Sequence, residues 1–149
     1  LRWGDSTATD ILFLREGSTI LPLAPVISII DDDASVRAAT NNLIRSFGYT
    51  VHTFASADAF LRSEHINDTA CVIADVQMPA MSGIELQSHL RTLGNRVPFI
   101  FITAFPEDSI RARALKAGAI CFLTKPFDGG TLIGYLNAAL KQHGGGPGS

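Results

Sequence analysis

Five short apolar runs break up the chain: Val26–Ile30, Tyr49–Phe54, Ala70–Ala74, Pro98–Ile102 and Ala119–Leu123. Runs of this length with no Lys, Arg, Asp or Glu predict strands, the most apolar of them buried on both faces. Tyr49–Phe54 is the most polar, as suits a sheet edge. Between the runs the apolar positions change to helical spacing. Val36, Leu43, Ile44 and Phe47 share one face of a helix over Ala34–Phe47, which Asp33 caps and Gly48 closes. Ser56 caps a short helix around Ala57–Arg62. Ser82-Gly-Ile-Glu85 has capping-box spacing and opens a helix in which Leu86, Leu90 and Leu93 recur at i, i+4 and i+7 before Gly94. Pro106 at a first helical position, Glu107 and Asp108 beside it, and Arg111, Arg113 and Lys116 further on predict a fourth helix ended by Gly118. The fifth, Thr131–Lys141, aligns Leu132, Ile133, Leu136, Ala139 and Leu140; Gly134 inside it costs roughly 1 kcal/mol relative to Ala.

Strands alternating with helices predict an α/β fold, a doubly wound five-stranded parallel sheet with right-handed crossovers. A polar second strand at the edge favours strand order 2-1-3-4-5. Cys71 and Cys121 would then sit two strand spacings apart, roughly 9–10 Å. A disulfide reaches about 7 Å between Cα atoms, so both thiols should be free.

Composition narrows the class. With 149 residues, 46% hydrophobic and 17% charged, the chain suits one globular domain. Residues 1–25 show no clear period and read as an extension of unknown role, 26–142 as the domain, and 143–149 as a flexible tail or linker. A net charge of −2 and the lack of a dense Lys or Arg cluster argue against direct nucleic-acid binding. No apolar run approaches membrane-spanning length, and no basic-then-apolar start marks a secretory signal. Both cysteines lie in apolar runs, as in a reducing compartment, so the expected location is cytoplasmic and off the membrane. His52, His65, His89 and His143 are dispersed and form no metal spacing.

The chemistry gathers at strand ends. Asp31, Asp32 and Asp33 follow the first run, Asp75 the third, Thr103 the fourth, and Lys125 stands just beyond the fifth. In an open parallel sheet these ends form the ligand-binding edge, and the first and third strands are neighbours there. Alone, each residue has a plain reading as a turn, a cap or a solvated group. Together they make a site. Carboxylates about 4 Å apart repel by roughly 4 kcal/mol at an effective dielectric of 20, so the cluster asks for a hard divalent cation. An all-oxygen donor set suits Mg²⁺, with Mn²⁺ as a substitute. A divalent ion and the Lys125 ammonium would balance Asp31, Asp32 and Asp75. Asp75 can act as a nucleophile and form an acyl phosphate, while Thr103 donates a hydrogen bond to a phosphoryl oxygen.

Ile29-Ile-Asp-Asp-Asp33, Asp75-Val-Gln-Met-Pro79 with Ser82-Gly83, Ile102-Thr-Ala104 and Leu123-Thr-Lys-Pro-Phe127 resemble the receiver domain of two-component response regulators, over about Val26 to Lys141. Phe54-Ala-Ser-Ala57 and Thr103-Ala-Phe-Pro106 are similar to the FixJ-like branch of nitrogen-fixation regulators. The resemblance implies a flavodoxin- and CheY-like fold and a phosphorelay protein that catalyses only its own phosphorylation and dephosphorylation. Asp75 would accept phosphate from a sensor histidine kinase or phosphotransfer protein. Asp31, Asp32, Asp75 and the backbone carbonyl of Gln77 would hold Mg²⁺, and Thr103 and Lys125 would contact the phosphoryl group. Asp33 would support the ligands, and Lys125–Pro126 would be a cis bond. Phe122 stands at the family's aromatic switch position, with plain core packing as its other reading. The output implied is a changed face formed by the fourth helix, fifth strand and fifth helix, with phosphorylation-dependent dimerisation and control of transcription through an effector or partner. A haloacid-dehalogenase-type phosphatase would carry a second Asp two residues after the nucleophile, where this chain has Gln77. A flavodoxin-like nucleotide or flavin module would need a phosphate-cradling loop where three carboxylates stand.

Overall fold

A computed structural model describes residues 24–143, with side chains described to residue 141. The tail from Gly144 lies outside the described residues, as does the expected extension except for Ala24 and Pro25. The elements run β1 (Val26–Ile30), α1 (Ala34–Arg45), β2 (Thr50–Phe54), α2 (Ala57–Leu61), β3 (Cys71–Asp75), α3 (Gly83–Thr92), β4 (Phe99–Thr103), α4 (Asp108–Lys116), β5 (Cys121–Thr124) and α5 (Gly129–His143). All strand pairs are parallel, in the order β2-β1-β3-β4-β5.

Period-two alternation divides the sheet's side chains between two cores. Ile27, Ile29, Cys71, Ile73, Ile100, Ile102 and Cys121 face α1 and α5, meeting Ile44, Leu132, Leu136 and Ala139. Ile30, Val72, Ala74, Phe99, Phe101 and Phe122 face the other way, against Phe60, Ile84, Leu86, Leu90 and Ala114 from α2, α3 and α4. Both faces of β3 and β4 are therefore covered, which is why their sequences are unbroken apolar runs. The edge strand β2 buries only Val51 fully, in keeping with its polar pattern. Among the described residues, no helix is long and apolar enough to cross a membrane. Cys71 and Cys121 are buried and free.

Several boundaries differ from the sequence reading. β3, β4 and β5 reach one residue further, because the ladder continues through polar tips: Asp75 pairs with Ile102, and Thr103 with Thr124. Helix α1 stops at Arg45 and α3 at Thr92, so Phe47 and Leu93, assigned above to apolar faces, are 56% and 61% exposed. Spacing along a helix predicts burial only while the helix lasts. Helix α4 begins at Asp108 with Glu107 as N-cap, leaving Pro106 outside it. Its preceding loop is held by side chains, described below. Helix α5 begins two residues early, at Gly129, where the Asp128 carboxylate accepts bonds from Thr131 N–H (2.9 Å) and Oγ1–H (3.1 Å).

Candidate acidic site at the C-terminal sheet edge

The termini of β1 and β3 lie side by side, with Ile30 paired to Ala74, so the residues that follow converge. Asp31 is fully buried. Its Oδ1 accepts the Asp33 N–H at 2.9 Å, and the Arg37 guanidinium on α1 donates to its carbonyl at 2.7 Å. Asp33 spends its own carboxylate on the N–H groups of Ser35 and Val36, capping α1. Its backbone therefore steadies Asp31 while its side chain starts the helix. Asp32 is exposed at the rim. Asp75 is 5% exposed; Oδ1 accepts Gln77 N–H at 3.1 Å, and Oδ2 accepts Lys125 Nζ at 3.0 Å.

Carboxylate oxygens of Asp31, Asp32 and Asp75 all lie within 4.8 Å of one another. One ammonium does not balance them. Burial raises the Asp75 pKa and Asp31 adds to it, against the opposing pull of Lys125 and the Gln77 N–H. Burial alone would lower the Lys125 pKa, but its hydrogen bond to Asp75 and the negative charge of Asp31 and Asp75 outweigh it and hold the pKa above its ordinary value. Lys125 Nζ lies 3.1 Å from Asp31 Oδ2, yet off the line of a hydrogen bond, so that buried oxygen has no hydrogen-bond partner among the described residues. An orphaned buried carboxylate oxygen beside two further acids is the donor set of a hard divalent cation. The cluster is capable of coordinating one.

Thr103 ends β4 fully buried. Its hydroxyl donates to Gln77 Oε1 and accepts the Phe105 N–H at 3.1 Å; Gln77 Nε2 donates to the Phe105 carbonyl at 3.4 Å. The loop before α4 is thus tied to the loop after β3, which accounts for the late start of that helix. Phe122 packs against Phe101, ring centroids 6.4 Å apart. The Lys125–Pro126 bond is cis.

Residues 27–137 match the family of the response regulator receiver domain. The chain belongs to that family. It is 44% identical over 118 residues to the response regulator protein TodT of Pseudomonas putida, covering 79% of this chain and 52% of that protein. It is 35% identical over 116 residues to the transcriptional regulatory protein FixJ of Bradyrhizobium diazoefficiens, covering 78% and 57%. The solved structure of the response regulator StyR superposes with a TM-score of 0.76 at 40% identity, over 81% of this chain and 61% of that one. The chain spans about half the length of the curated relatives it matches. Receiver domains act only on their own phosphoaspartate, and the phosphatase and flavodoxin-like alternatives give way to this match.

The receiver's acids, hydroxyl and amine all reach one edge, but the side chain of Gln77 was missed. Only its main-chain carbonyl was expected to matter, and no local pattern signals a bond across 26 residues. A Cβ at Gly83 would stand 2.4 Å from the Asp75 carbonyl, so the close approach of α3 to the strand tip requires glycine. His52 and His65, separated in the sequence, stack with ring centroids 3.6 Å apart at 11°. Parallel pairing and a loop return bring together what the sequence separates.

Proposed function

We propose that Asp75 is the phosphoacceptor of this receiver and that a sensor histidine kinase or phosphotransfer protein is the donor. An Asp75 carboxylate oxygen attacks phosphorus, the new P–O bond forming as the P–N bond of a phosphohistidine breaks. The bonding pair leaves with the imidazole, which takes up a proton. Asp31, Asp32, Asp75 and the Gln77 carbonyl would hold Mg²⁺, or Mn²⁺ in its place, which would supply the positive charge needed for an anionic phosphoryl group to approach. Lys125 orients Asp75 through Oδ2 and offers its ammonium to the incoming oxygens. Arg37 and the Asp33 N–H hold Asp31 from behind.

The aspartyl phosphate adds charge and acceptor oxygens at one strand tip. Thr103 turns its hydroxyl to them, the loop before α4 follows, and Phe122 repacks, shifting the population of the α4–β5–α5 face. Exposed Phe105 and Leu115 give that region apolar surface for a second receiver. The names of relatives called transcriptional regulatory proteins support control of transcription as the output, which phosphorylation-dependent dimerisation would pass to an effector region. The observation carrying this reading is the ammonium of Lys125 at 3.0 Å from Asp75, within a three-carboxylate cluster. Incubation with acetyl phosphate or beryllofluoride tests it. Saturable modification that needs Mg²⁺ and disappears in Asp75→Asn is expected; equal labelling of that variant would overturn it.

A further inference from the structure

We propose that the side chain of Gln77 is a positioning residue, a latch that holds Thr103 in its unphosphorylated orientation. The inference rests on the reading that Thr103 answers a phosphoryl group on Asp75. A threonine hydroxyl has a single proton, so it serves one acceptor at a time. Here that proton goes to Gln77 Oε1. For Thr103 to donate to a phosphoryl oxygen, it must first release the amide. The hydroxyl is buried, with no solvent acceptor to take over, so the competition is between two fixed partners.

The latch has a second hold. Gln77 Nε2 donates to the Phe105 carbonyl, and Phe105 N–H donates to Thr103 Oγ1. Phe105 itself is 70% exposed, so these polar contacts restrain its loop more than apolar packing does. At its other end Gln77 is anchored on the reactive acid, its N–H donating to Asp75 Oδ1. One exposed residue therefore joins the phosphoacceptor, the hydroxyl that answers it and the loop that moves. Its amide stabilises the resting arrangement alone, because the active arrangement gives the hydroxyl proton to another oxygen. Weakening the amide shifts the population toward the active form, and anything that binds that form then binds more tightly.

The test is a double-mutant cycle read by beryllofluoride affinity in the presence of Mg²⁺. Gln77→Met keeps length and removes both hydrogen-bonding atoms; Thr103→Val keeps shape and removes the hydroxyl. Gln77→Met is expected to tighten beryllofluoride binding on the order of 5-fold, the factor corresponding to one net hydrogen bond. In the Thr103→Val background the same substitution should tighten binding less, because only the bond to the Phe105 carbonyl is left to release. The Phe105 amide resonance of ligand-free Gln77→Met should move toward its beryllofluoride-bound position. An unchanged affinity, or an equal change in both backgrounds, overturns the latch while leaving the phosphoacceptor reading intact. Failure of the unmodified chain to bind beryllofluoride with Mg²⁺ overturns both. Should Thr103→Val not fold, Thr103→Ala takes its place.

Discussion

Lys125 Nζ sits 3.0 Å from Asp75 Oδ2 and 3.1 Å from Asp31 Oδ2, one cation serving two buried acids. Removing it with Lys125→Met leaves the acids facing each other. The expected loss is about 1–3 kcal/mol at neutral pH without a divalent ion. It stays below the cost of stranding a full charge because Asp75, its pKa already raised, can take up a proton. Denaturant unfolding in chelator checks this, and unchanged stability would mean the ammonium is dispensable to the resting fold.

Divalent ions should stabilise the chain for the same reason. At ten times its dissociation constant, Mg²⁺ is expected to add about 1.4 kcal/mol to unfolding, by mass action alone. Chelation should remove the gain. Asp32→Asn should require more Mg²⁺ for the same gain while leaving the metal-free fold unaltered, since Asp32 lies exposed at the rim. A metal-induced rise in Tm of equal size at equal Mg²⁺ in that variant would remove Asp32 from the ligand set.

Gly83→Ala should cost about 1–3 kcal/mol, the usual range for forcing a group into a filled space. The methyl would meet the Asp75 carbonyl at 2.4 Å and the Phe101 ring at 3.1 Å. Because the obstacle is the backbone of the reactive strand tip, Mg²⁺ affinity should fall together with stability. Loss of stability with unchanged Mg²⁺ affinity would show that the strand tip does not shift.

His52 on the edge strand supplies a pH dependence. Burial lowers its pKa first, the stacked His65 and then Arg45 push the same way, and Asp68 and Glu64 oppose them. The unfolded chain therefore takes up this proton more readily. The contribution is intact above the ordinary value near 6.5 and is lost as pH falls from there through the lowered folded value. His52→Phe keeps an aromatic ring to stack and carries no proton. Its Tm should fall less than the unmodified chain's between pH 7.5 and pH 5. Equal slopes would assign the acid sensitivity to other groups.

How far the sequence reached can be seen residue by residue. Unbroken apolar character in the inner runs, with a more polar second run, was enough for the sheet order, because burial on two faces or one is written in local composition. Acids, hydroxyl and amine at successive strand ends were enough to locate the site, because a parallel sheet puts every C-terminal tip on one edge. Phe47 and Leu93 were misassigned because a periodic pattern does not say where a helix ends.

What tertiary structure alone decided is which polar atoms are left over. Nothing local tells that Asp31 keeps a buried oxygen with no hydrogen bond among the described residues, faced only by the Lys125 ammonium. Nor does it tell that the amide of Gln77 takes the proton of Thr103, or that His52 lies against His65. A chain's order fixes which groups stand at each strand tip. Hydrogen bonds between tips depend on distances of a few tenths of an ångström, and only the packed layers of helix and sheet set those.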